Sequence, residues 1–351
     1  MKALVKTKSG AGNLAYTEWP KPSPGRGEVL IAVKAVGVCG TDVHIMHGTY
    51  RTATPVVIGH EFSGVIVEVG PETKRWRVGD RVVVENTVGA CGVCELCRTG
   101  TGHICLEKRA YGTDSDGAMT EFVVFSGAAV HRLPDSVSFE EAAVVEPLAV
   151  VNRGVVERGC VRPESTVVVI GPGSIGLLAV QVCRAAGAKE IILAGTNKDV
   201  ATRLSLGKQC GATRVVNVQQ EDLRAIVSEV TGGAGADLVV EASGSPKAVQ
   251  EAIHLAGRGK VVSVIGLTGG QVTLDWDAAV FKEIDIRFSK SSTYLSWHRA
   301  ISMIADGRVD VKLLITHRFK LSQWAEALQA TDKGEAIKAV MFPEPGAASG
   351  Q

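Results

Sequence analysis

The chain has 351 residues, a length at which two domains are expected rather than one continuous core. Hydrophobic residues make up 45% and charged residues 21% of the chain, a composition that excludes a disordered protein. The 38 basic and 37 acidic residues nearly cancel, so the net charge of +1 gives no overall field that would attract nucleic acid or an anionic membrane. We therefore expect neither as a partner.

Residues 1–14 lack the apolar core of a signal peptide, and apolar stretches such as 167–170 and 261–265 are too short to span a membrane. Eight cysteines in a chain of this kind favour metal ligands or free thiols over disulfides. We therefore expect a cytoplasmic protein.

The first 150 residues are predicted to form mainly strands and turns, because short β-branched runs at 29–36, 64–69 and 81–84 are punctuated by glycine and proline. Near residue 151 the pattern changes. The predicted elements then alternate as strand 166–170, helix 175–186, strand 190–194, a helix ending near 210, strand 237–241, a helix from about 248, and strand 260–265. Such alternation is typical of an α/β fold with a doubly wound parallel sheet.

Beyond about residue 286 we expect a helix at 297–305 and a strand-like segment at 313–316, with no further alternation of strands and helices. The small-residue tail at 346–351 is predicted to be frayed.

Four cysteines lie close together, at Cys91, Cys94, Cys97 and Cys105. Thiolates at this spacing can close a tetrahedral shell around one Zn²⁺, which leaves no position open for a substrate. The alternatives are four free thiols in a surface loop, or a zinc module that binds nucleic acid. Since the loop lies within a large neutral chain, the spacing predicts a structural zinc site in a lobe of about residues 89–107.

A second possible metal site combines Cys39 with His60 and a carboxylate. A thiolate, an imidazole and a carboxylate form a mixed donor set with a coordination position left open, as a catalytic zinc needs. The spacing of Cys39 and His60 is not specific by itself. A buried core cysteine and a solvent-facing histidine are the alternative.

A glycine-rich turn follows the predicted strand 166–170 and opens the next helix. Its G-x-G-x-x-G pattern includes Gly171, Gly173, Ser174, Ile175 and Gly176. In a dinucleotide site such a turn brings the backbone close to the pyrophosphate, which lies at the helix N-terminus. The strand before the turn and the helix after it predict that these residues bind a dinucleotide.

Taken together, these motifs resemble the zinc-dependent medium-chain dehydrogenase/reductase family, in the branch of polyol (sorbitol), threonine and butanediol dehydrogenases. The resemblance covers residues 1–342, and the motifs that start at Cys39, Gly59 and Gly79 occur in the family's order with the cysteine lobe and the glycine turn. It implies a mainly-β GroES-like catalytic domain and a Rossmann doubly wound parallel sheet domain.

The resemblance also implies how the domains divide the chain. Residues 1–148 and 287–351 would form the catalytic domain, and residues 149–286 would form an inserted NAD(P)-binding domain, with the active site in the cleft between them.

For the mixed site, the resemblance implies that Cys39, His60, Glu61 and Glu146 bind a catalytic zinc, so that the chain holds two zinc ions. Glu146 stands where liver-type alcohol dehydrogenases have a cysteine, and it would bind the metal directly or through water. An ordinary carboxylate at the start of a helix is the alternative for Glu146. Asp42 is implied to orient the ring of His60.

The implied reaction is a reversible hydride transfer between a secondary alcohol and NAD(P), with zinc as a Lewis acid toward the substrate hydroxyl. Thr41 would accept the hydroxyl proton and pass it, through the cofactor ribose, toward His44 and solvent. A plain surface histidine is the alternative for His44.

The substrate is less sharply indicated. Residues 309–319 are similar to sorbitol dehydrogenases, but residues 291–293 read Ser-Ser-Thr where those enzymes carry an Arg-Tyr pair and threonine dehydrogenases an arginine. We therefore expect a small polyol, a vicinal diol or an amino-alcohol, whose identity stays open.

The cofactor preference depends on the loop after strand 190–194. NAD enzymes of this fold usually carry an acid there for the ribose hydroxyls, but this chain continues with Thr196, Asn197 and Lys198, which suit a 2′-phosphate. Asp199 follows, and a longer loop could return it to the ribose, while Lys198 could also be a solvated loop residue. The missing acid favours NADP, or the use of both cofactors.

Two rival functions remain. A zinc-independent quinone or enoyl reductase of the same superfamily would lack Cys39, His60 and the cysteine lobe, and a non-catalytic zinc-binding protein would have no need of Thr41, His44 or the glycine turn. By analogy with the branch, we expect a homo-oligomer, either a tetramer or a dimer.

Overall fold

The computed structural model describes residues 1–344, so the tail predicted to be frayed at 346–351 lies outside the described residues. Contacts divide the chain into two compact units. The first unit comprises Met1–Glu146, Thr293–Ala305 and the chain from Ile315 onward, and the second comprises Pro147–Ser292 and Asp306–Leu314.

The strands and helices of the described residues are numbered in chain order. The strands are β1 (Lys2–Lys6), β2 (Leu14–Glu18), β3 (Glu28–Gly37), β4 (Val56–Val57), β5 (Glu61–Val69), β6 (Arg81–Val84), β7 (Thr87–Val88), β8 (Arg109–Ala110), β9 (Phe122–Ser126), β10 (Val130–Arg132), β11 (Thr166–Ile170), β12 (Glu190–Gly195), β13 (Arg214–Asn217), β14 (Ala236–Glu241), β15 (Ala256–Val264), β16 (Asp285–Phe288), β17 (Ile315–Lys320) and β18 (Lys338–Phe342). The α-helices are α1 (Gly40–Met46), α2 (Glu95–Arg98), α3 (Phe139–Ala142), α4 (Val145–Asn152), α5 (Ser174–Ala185), α6 (Ser205–Cys210), α7 (Leu223–Thr231), α8 (Pro246–Leu255), α9 (Trp276–Phe281), α10 (Tyr294–Ala305) and α11 (Trp324–Asp332). Two π-helical segments, Arg153–Arg158 and Val200–Leu204, and several short 3₁₀ turns complete the set.

The second unit is built on a six-stranded parallel sheet with the order β13-β12-β11-β14-β15-β16. The apolar run of β11 is buried on both faces, with Val167, Val168 and Val169 fully inaccessible, because a doubly wound sheet is covered on each side. Strand order reverses between β11 and β14, and in such sheets ligands bind outside the carboxyl ends of the strands at this reversal. The predicted doubly wound sheet is confirmed, although β13 and α7 were not predicted.

The first unit contains a mixed sheet with the order β10-β6-β5-β3-β18-β17, and β9 also pairs with β3. Two smaller sheets, β2-β1-β4 and β7-β8, accompany it. Its main core lies against the long strand β3, where Val29, Ile31, Val33 and Val36 are all buried. The predominance of short antiparallel strands in residues 1–150 agrees with the prediction.

The expectation that no further alternation of strands and helices follows residue 286 is wrong. β17 and β18 pair in parallel, and α11 connects them as a βαβ unit. Residues 313–314 lie in a 3₁₀ turn, so the predicted strand at 313–316 begins only at Ile315. In β17 buried or half-buried residues alternate with exposed ones, and this weaker pattern made the unit hard to find.

The return to the first unit occurs at Thr293, whereas the sequence placed it at residue 287. The physical reason is that β16 extends the six-stranded sheet. Residues 306–314 also belong to the second unit, where the side chain of Gln181 exchanges two hydrogen bonds with the backbone of Asp310, at 3.1 and 2.7 Å. Across residues 1–344, no helix has the length and apolarity that crossing a membrane requires.

Candidate metal centres and nucleotide site

The mixed donor set forms where two antiparallel strands meet. β3 pairs with β5, and Gly37 at the end of β3 lies opposite Glu61 at the start of β5. Cys39 follows β3 by two residues, and His60 directly precedes β5. Strand pairing therefore brings these three side chains to the same end of the sheet.

Cys39, His60 and Glu61 each offer one ligand atom, and these atoms all lie within 4.8 Å of one another. His60 and Glu61 are buried, and Cys39 is half-buried. A thiolate, an imidazole nitrogen and a carboxylate oxygen around one point, with room for a further ligand, suit a catalytic zinc ion. The residues present therefore fit the metal that the sequence predicts.

Asp42 lies beside two of these donors. Its Oδ2 accepts a hydrogen bond of 2.9 Å from the backbone N–H of Cys39, and its Oδ1 lies 3.9 Å from His60 Nδ1. Neither Asp42 Oδ1 nor His60 Nδ1 has a hydrogen-bond partner among residues 1–344. Since Nδ1 faces the carboxylate, Nε2 is the ring nitrogen left for a metal, which is the orientation expected from the predicted role of Asp42.

Glu146 lies on α4 and is buried, but it is outside the group of three mutually close donors. Its Oε1 accepts a hydrogen bond of 2.8 Å from Asn86 Nδ2. Burial raises the pKa of Glu146 to about 7. Glu146 thus interacts electrostatically with the charged groups of the centre, and its carboxylate is held by the neutral amide of Asn86.

The charges of the centre are strongly coupled. Burial disfavours the charged form of His60, yet Cys39, Asp42 and Glu146 outweigh it and raise the pKa of His60 well above its usual range. A metal ion bound at His60 would have to displace the proton that these charges favour.

Lys338, the first residue of β18, also faces this centre. Its Nζ donates hydrogen bonds to the carbonyl oxygen of Val38, at 3.0 Å, and to Glu61 Oε2. Burial opposes the ammonium charge, but Glu61 and Cys39 together raise the pKa of Lys338 above its usual value.

Thr41 and His44 both lie on α1. The hydroxyl of Thr41 is 3.7 Å from Cys39 Sγ, so it borders the mixed donor set. The ring of His44 is exposed, and its Nδ1 lies 3.1 Å from the hydroxyl of Thr49. One group is thus near the donors and the other in solvent, three residues apart on one helix.

The four clustered cysteines surround a common point. The Sγ atoms of Cys91 and Cys97 are 3.9 Å apart, those of Cys94 and Cys105 are 3.8 Å apart, and those of Cys91 and Cys105 are 3.7 Å apart. A tetrahedron with Zn–S bonds of about 2.3 Å has edges of about 3.8 Å. The separations are far too long for disulfides, and they fit one zinc ion with every position taken.

A cavity of about 850 Å³ lies at the carboxyl ends of β11 and β12 in the second unit. Five of the predicted cofactor residues line it: Gly171, Gly173, Thr196, Lys198 and Asp199. The cavity is at the reversal of strand order, where this kind of sheet binds nucleotides.

The glycine turn has the shape that a pyrophosphate needs. A Cβ on Gly176 would lie 1.8 Å from the carbonyl oxygen of Gly171, so the helix can pack this closely only with glycine. A Cβ on Gly173 would meet no protein atom within 4 Å, so the backbone there is open to a ligand. Ser174, Ile175 and Gly176 form the first turn of α5. The free N–H groups at the start of such a helix can bind the pyrophosphate.

The loop after β12 is already hydrogen-bonded. Oδ2 of Asp199 accepts from the backbone N–H and the hydroxyl of Thr196, at 2.9 and 2.8 Å. Asn197 donates its backbone N–H to Gln219 and accepts from Asn217 through Oδ1. Asp199 therefore caps its own turn.

Comparison with known proteins identifies the family. The chain matches the alcohol dehydrogenase GroES-like domain over residues 25–135 and the zinc-binding dehydrogenase domain over residues 174–306. It is 38% identical to the sorbitol dehydrogenase of Halalkalibacterium halodurans, over 98% of this chain and 99% of that protein. It is 35% identical to the D-arabitol-phosphate dehydrogenase of Enterococcus avium, over 98% of each chain. The chain belongs to the zinc-binding alcohol dehydrogenases.

A solved structure agrees with this identification. A putative zinc-binding dehydrogenase from Sinorhizobium meliloti, bound to NADP, superposes with a TM-score of 0.89 and 30% identity, over 97% of this chain and 99% of that one. The predicted family, its polyol and threonine branch and its GroES-like and Rossmann folds are confirmed. The protein is an oxidoreductase, a zinc-dependent alcohol or polyol dehydrogenase that uses NAD(P).

Three residues of this alcohol dehydrogenase were missed in the sequence. Asn86 and Lys338 lie far along the chain from the carboxylates they hold, and Lys338 is 277 residues from Glu61, so no local pattern indicates them. Arg203 lines the nucleotide cavity, with Nη1 3.9 Å from Asp199 Oδ1. Its position four residues after Asp199 on a predicted helix could have indicated that Arg203 lies next to Asp199.

Proposed function

We propose that the chain oxidises the secondary hydroxyl of a small polyol, a vicinal diol or an amino-alcohol at a centre formed by Cys39, His60, Glu61 and Glu146. The observation that carries this proposal is the convergence of three ligand atoms within 4.8 Å, bordered by the hydroxyl of Thr41. A zinc ion held there supplies Lewis acidity, which lowers the pKa of a hydroxyl group toward neutrality.

The protein's own part in the reaction is proton transfer and orientation. Thr41 accepts a hydrogen bond from the substrate hydroxyl and conducts its proton away from the buried centre, while the exposed ring of His44 releases the proton to solvent. Asp42 keeps the His60 ring in one orientation.

The substrate class rests on the relatives and on one departure from them. Relatives named for sorbitol and D-arabitol phosphate support a polyol-type substrate. The Ser-Ser-Thr sequence at residues 291–293 departs from the family's polyol-facing pair, which supports a substrate other than sorbitol itself. A screen of polyols, diols and amino-alcohols with both cofactors tests the proposal, and activity on none of these classes would contradict it.

We further propose two zinc ions per chain, the second in the closed site of Cys91, Cys94, Cys97 and Cys105. The sulfur–sulfur separations near 3.8 Å support it. In this proposal the first unit serves as the catalytic domain, and the second unit, which contains the glycine turn, binds the cofactor.

For the cofactor we propose NADP, or the use of both NADP and NAD. Lys198 and Arg203 line the cavity beside the end of β12, and both could pair with a 2′-phosphate. The acid that would repel a phosphate, Asp199, has its Oδ2 committed to Thr196. The ratio of kcat/KM for the two cofactors tests this. A preference for NAD above about a hundredfold, roughly 2.7 kcal/mol, would mean that Asp199 reads the ribose.

We also propose that the chain forms a homo-oligomer, a dimer or a tetramer, in which a second copy covers the surface around β16. In the part of the chain that the structure describes, β16 pairs only with β15 and so leaves one edge open. Three large apolar side chains nearby are mostly exposed: Trp276 at 69%, Phe281 at 74% and Phe288 at 70%. An edge strand can pair with its own copy across a twofold axis.

The mass in solution by light scattering tests this proposal. Phe281→Lys, in the second unit, should shift the mass toward a monomer, and Tyr50→Lys, at an exposed aromatic residue of the first unit, should not. A monomeric unmodified protein at micromolar concentration would contradict the proposal.

A further inference from the structure

A buried ammonium group faces the mixed donor set from β18. The side chain of Lys338 is 3% exposed and that of Glu61 is 1% exposed, so neither charge is compensated by water. Each is compensated by the other, because Lys338 Nζ donates to Glu61 Oε2. Breaking such a buried pair leaves an isolated charge, and the geometry of the two groups is therefore firmly set.

The position of Oε2 is fixed from a second side as well. A Cβ on Gly37 would lie 2.5 Å from Glu61 Oε2 and 3.2 Å from the carbonyl oxygen of Ala143, so only glycine leaves room for the carboxylate here. The Lys338 ammonium is itself anchored to the carbonyl oxygen of Val38, one residue before Cys39. Oε2 is held between β3 and β18, and Oε1 is the oxygen left for a metal.

The other carboxylate of the centre is held differently. Glu146 accepts a hydrogen bond from the amide of Asn86, which carries no positive charge that would repel a metal ion. The two carboxylates are therefore unequal, since an ammonium group occupies an oxygen of Glu61 only.

We propose that Lys338 is a positioning residue that withholds one oxygen of Glu61 from the metal, so that Glu61 binds through a single oxygen and a coordination position stays open for the substrate. This inference rests on the proposed metal site at Cys39, His60 and Glu61.

The proposal predicts a change in metal affinity of opposite sign to the change expected if Lys338 had only a structural role. Removing the ammonium group frees both oxygens of Glu61 and takes a positive charge away from a cation site, so a metal should bind more tightly and with more ligands. If Lys338 only stabilised the strand ends, its removal would loosen the site, and the metal would be lost more readily.

The experiment uses the full chain with Co²⁺ exchanged into the open site and zinc in the closed site verified by elemental analysis. The unmodified protein is compared with Lys338→Met and Lys338→Arg by visible absorption and by competition with a chelator. Lys338→Met should bind cobalt about tenfold more tightly, because a positive charge next to the cation site has been removed. Its absorption per bound ion should fall, as five-coordinate cobalt absorbs less than four-coordinate cobalt. Lys338→Arg, which keeps the charge, should match the unmodified protein.

A matched control is available in the same unit. Lys6 is also buried, at 1% exposed, and its Nζ donates to the carbonyl oxygens of Gly10, Gly12 and Ile45. Lys6→Met should lower the unfolding temperature without changing the cobalt spectrum or affinity.

Weaker or unchanged cobalt binding in Lys338→Met overturns the proposal, as does a spectral change that Lys6→Met reproduces. If Lys338→Met does not fold, Lys338→Gln carries the same test, because it also lacks the charge and must bind cobalt more tightly. Failure of the proposed function is distinguishable, since in that case the unmodified protein itself would bind no cobalt at the open site.

Discussion

The proposed closed zinc site draws its four cysteines from one short segment, Cys91 to Cys105, whereas the proposed mixed site combines Cys39, His60 and Glu61 from the facing ends of two strands. In the closed site four sulfur atoms lie near the corners of a tetrahedron, and three of the distances between them are 3.7, 3.8 and 3.9 Å. In the mixed site each ligand differs in kind and has its own partner: Asp42 beside His60, Lys338 on Glu61 and Asn86 on Glu146.

This difference suits the closed site to stabilising the fold and the mixed site to taking part in the reaction. Four thiolates complete a zinc shell, so a metal there can only hold the lobe together. A mixed set with an open position needs outside groups to fix each ligand, because its geometry is not completed by the metal alone. The predictions below test this division of labour, from the largest expected effect to the smallest.

Cys39→Ser should reduce turnover by about 10³-fold or more, since the loss of Lewis acidity removes several kcal/mol of transition-state stabilisation. Circular dichroism and the unfolding temperature should change little. Cys183→Ala is the matched control, because Cys183 is fully buried in α5 and burial raises the pKa of its thiol to about 12. Full activity in Cys39→Ser, or an equal loss in Cys183→Ala, would remove Cys39 from the chemistry.

Thr41→Ala should lower kcat by roughly 10²–10⁴-fold, the usual contribution of a general acid–base group, with little change in cofactor affinity. His44→Ala should lower it less, and added buffer or a higher pH should restore part of the rate, because solvent can replace the outer end of the path. The pair is measured by steady-state kinetics and cofactor titration. Unchanged turnover in Thr41→Ala would exclude it from proton transfer.

The closed site could be predicted from the sequence more completely than the mixed site, for a physical reason. The closed site is local, so its spacing alone indicated both the metal and its coordination. For Cys39 and His60 the residues suggested only a possible metal site, and the family resemblance then supported it, since a contact between strand ends leaves no periodic signal. Lys338 and Asn86 were not predicted at all, because a partner that is distant along the chain is selected by the fold and not by neighbouring residues.

The fold shows the same limit. Strand 166–170 was predicted to the residue because its buried valines form a continuous run, and the glycine turn after it fixed the nucleotide domain. The βαβ unit of β17, α11 and β18 was missed, since β17 is half-exposed and both strands belong to a mixed sheet.

Arg203→Ala combined with Lys198→Ala should lower kcat/KM for NADP by about tenfold to a hundredfold, because a 2′-phosphate loses its charged hydrogen-bond partners. The value for NAD should change little. Asp199→Ala is the complementary variant: if the unmodified protein prefers NAD instead, this change should erase the preference. An equal loss for both cofactors in the double variant would contradict a role in phosphate recognition.

Cys94→Ser should have the smallest effect on activity and a large effect on stability. The folded fraction should retain specific activity, while the free energy of unfolding falls by several kcal/mol, because a structural zinc ion contributes directly to folding. Chemical denaturation and the specific activity of the folded peak measure the two quantities. Loss of activity in step with unfolding in both Cys94→Ser and Cys39→Ser would mean that the sites do not differ in role.

The most direct test of two unequal zinc sites is the zinc content of freshly purified protein, measured by elemental analysis on the unmodified chain and on both cysteine variants. We predict two zinc ions per unmodified chain, and one in Cys39→Ser, which stays folded and inactive. We predict one in the folded fraction of Cys94→Ser, which stays active. One zinc ion or none in the unmodified chain, or a variant that loses both ions at once, would contradict the account.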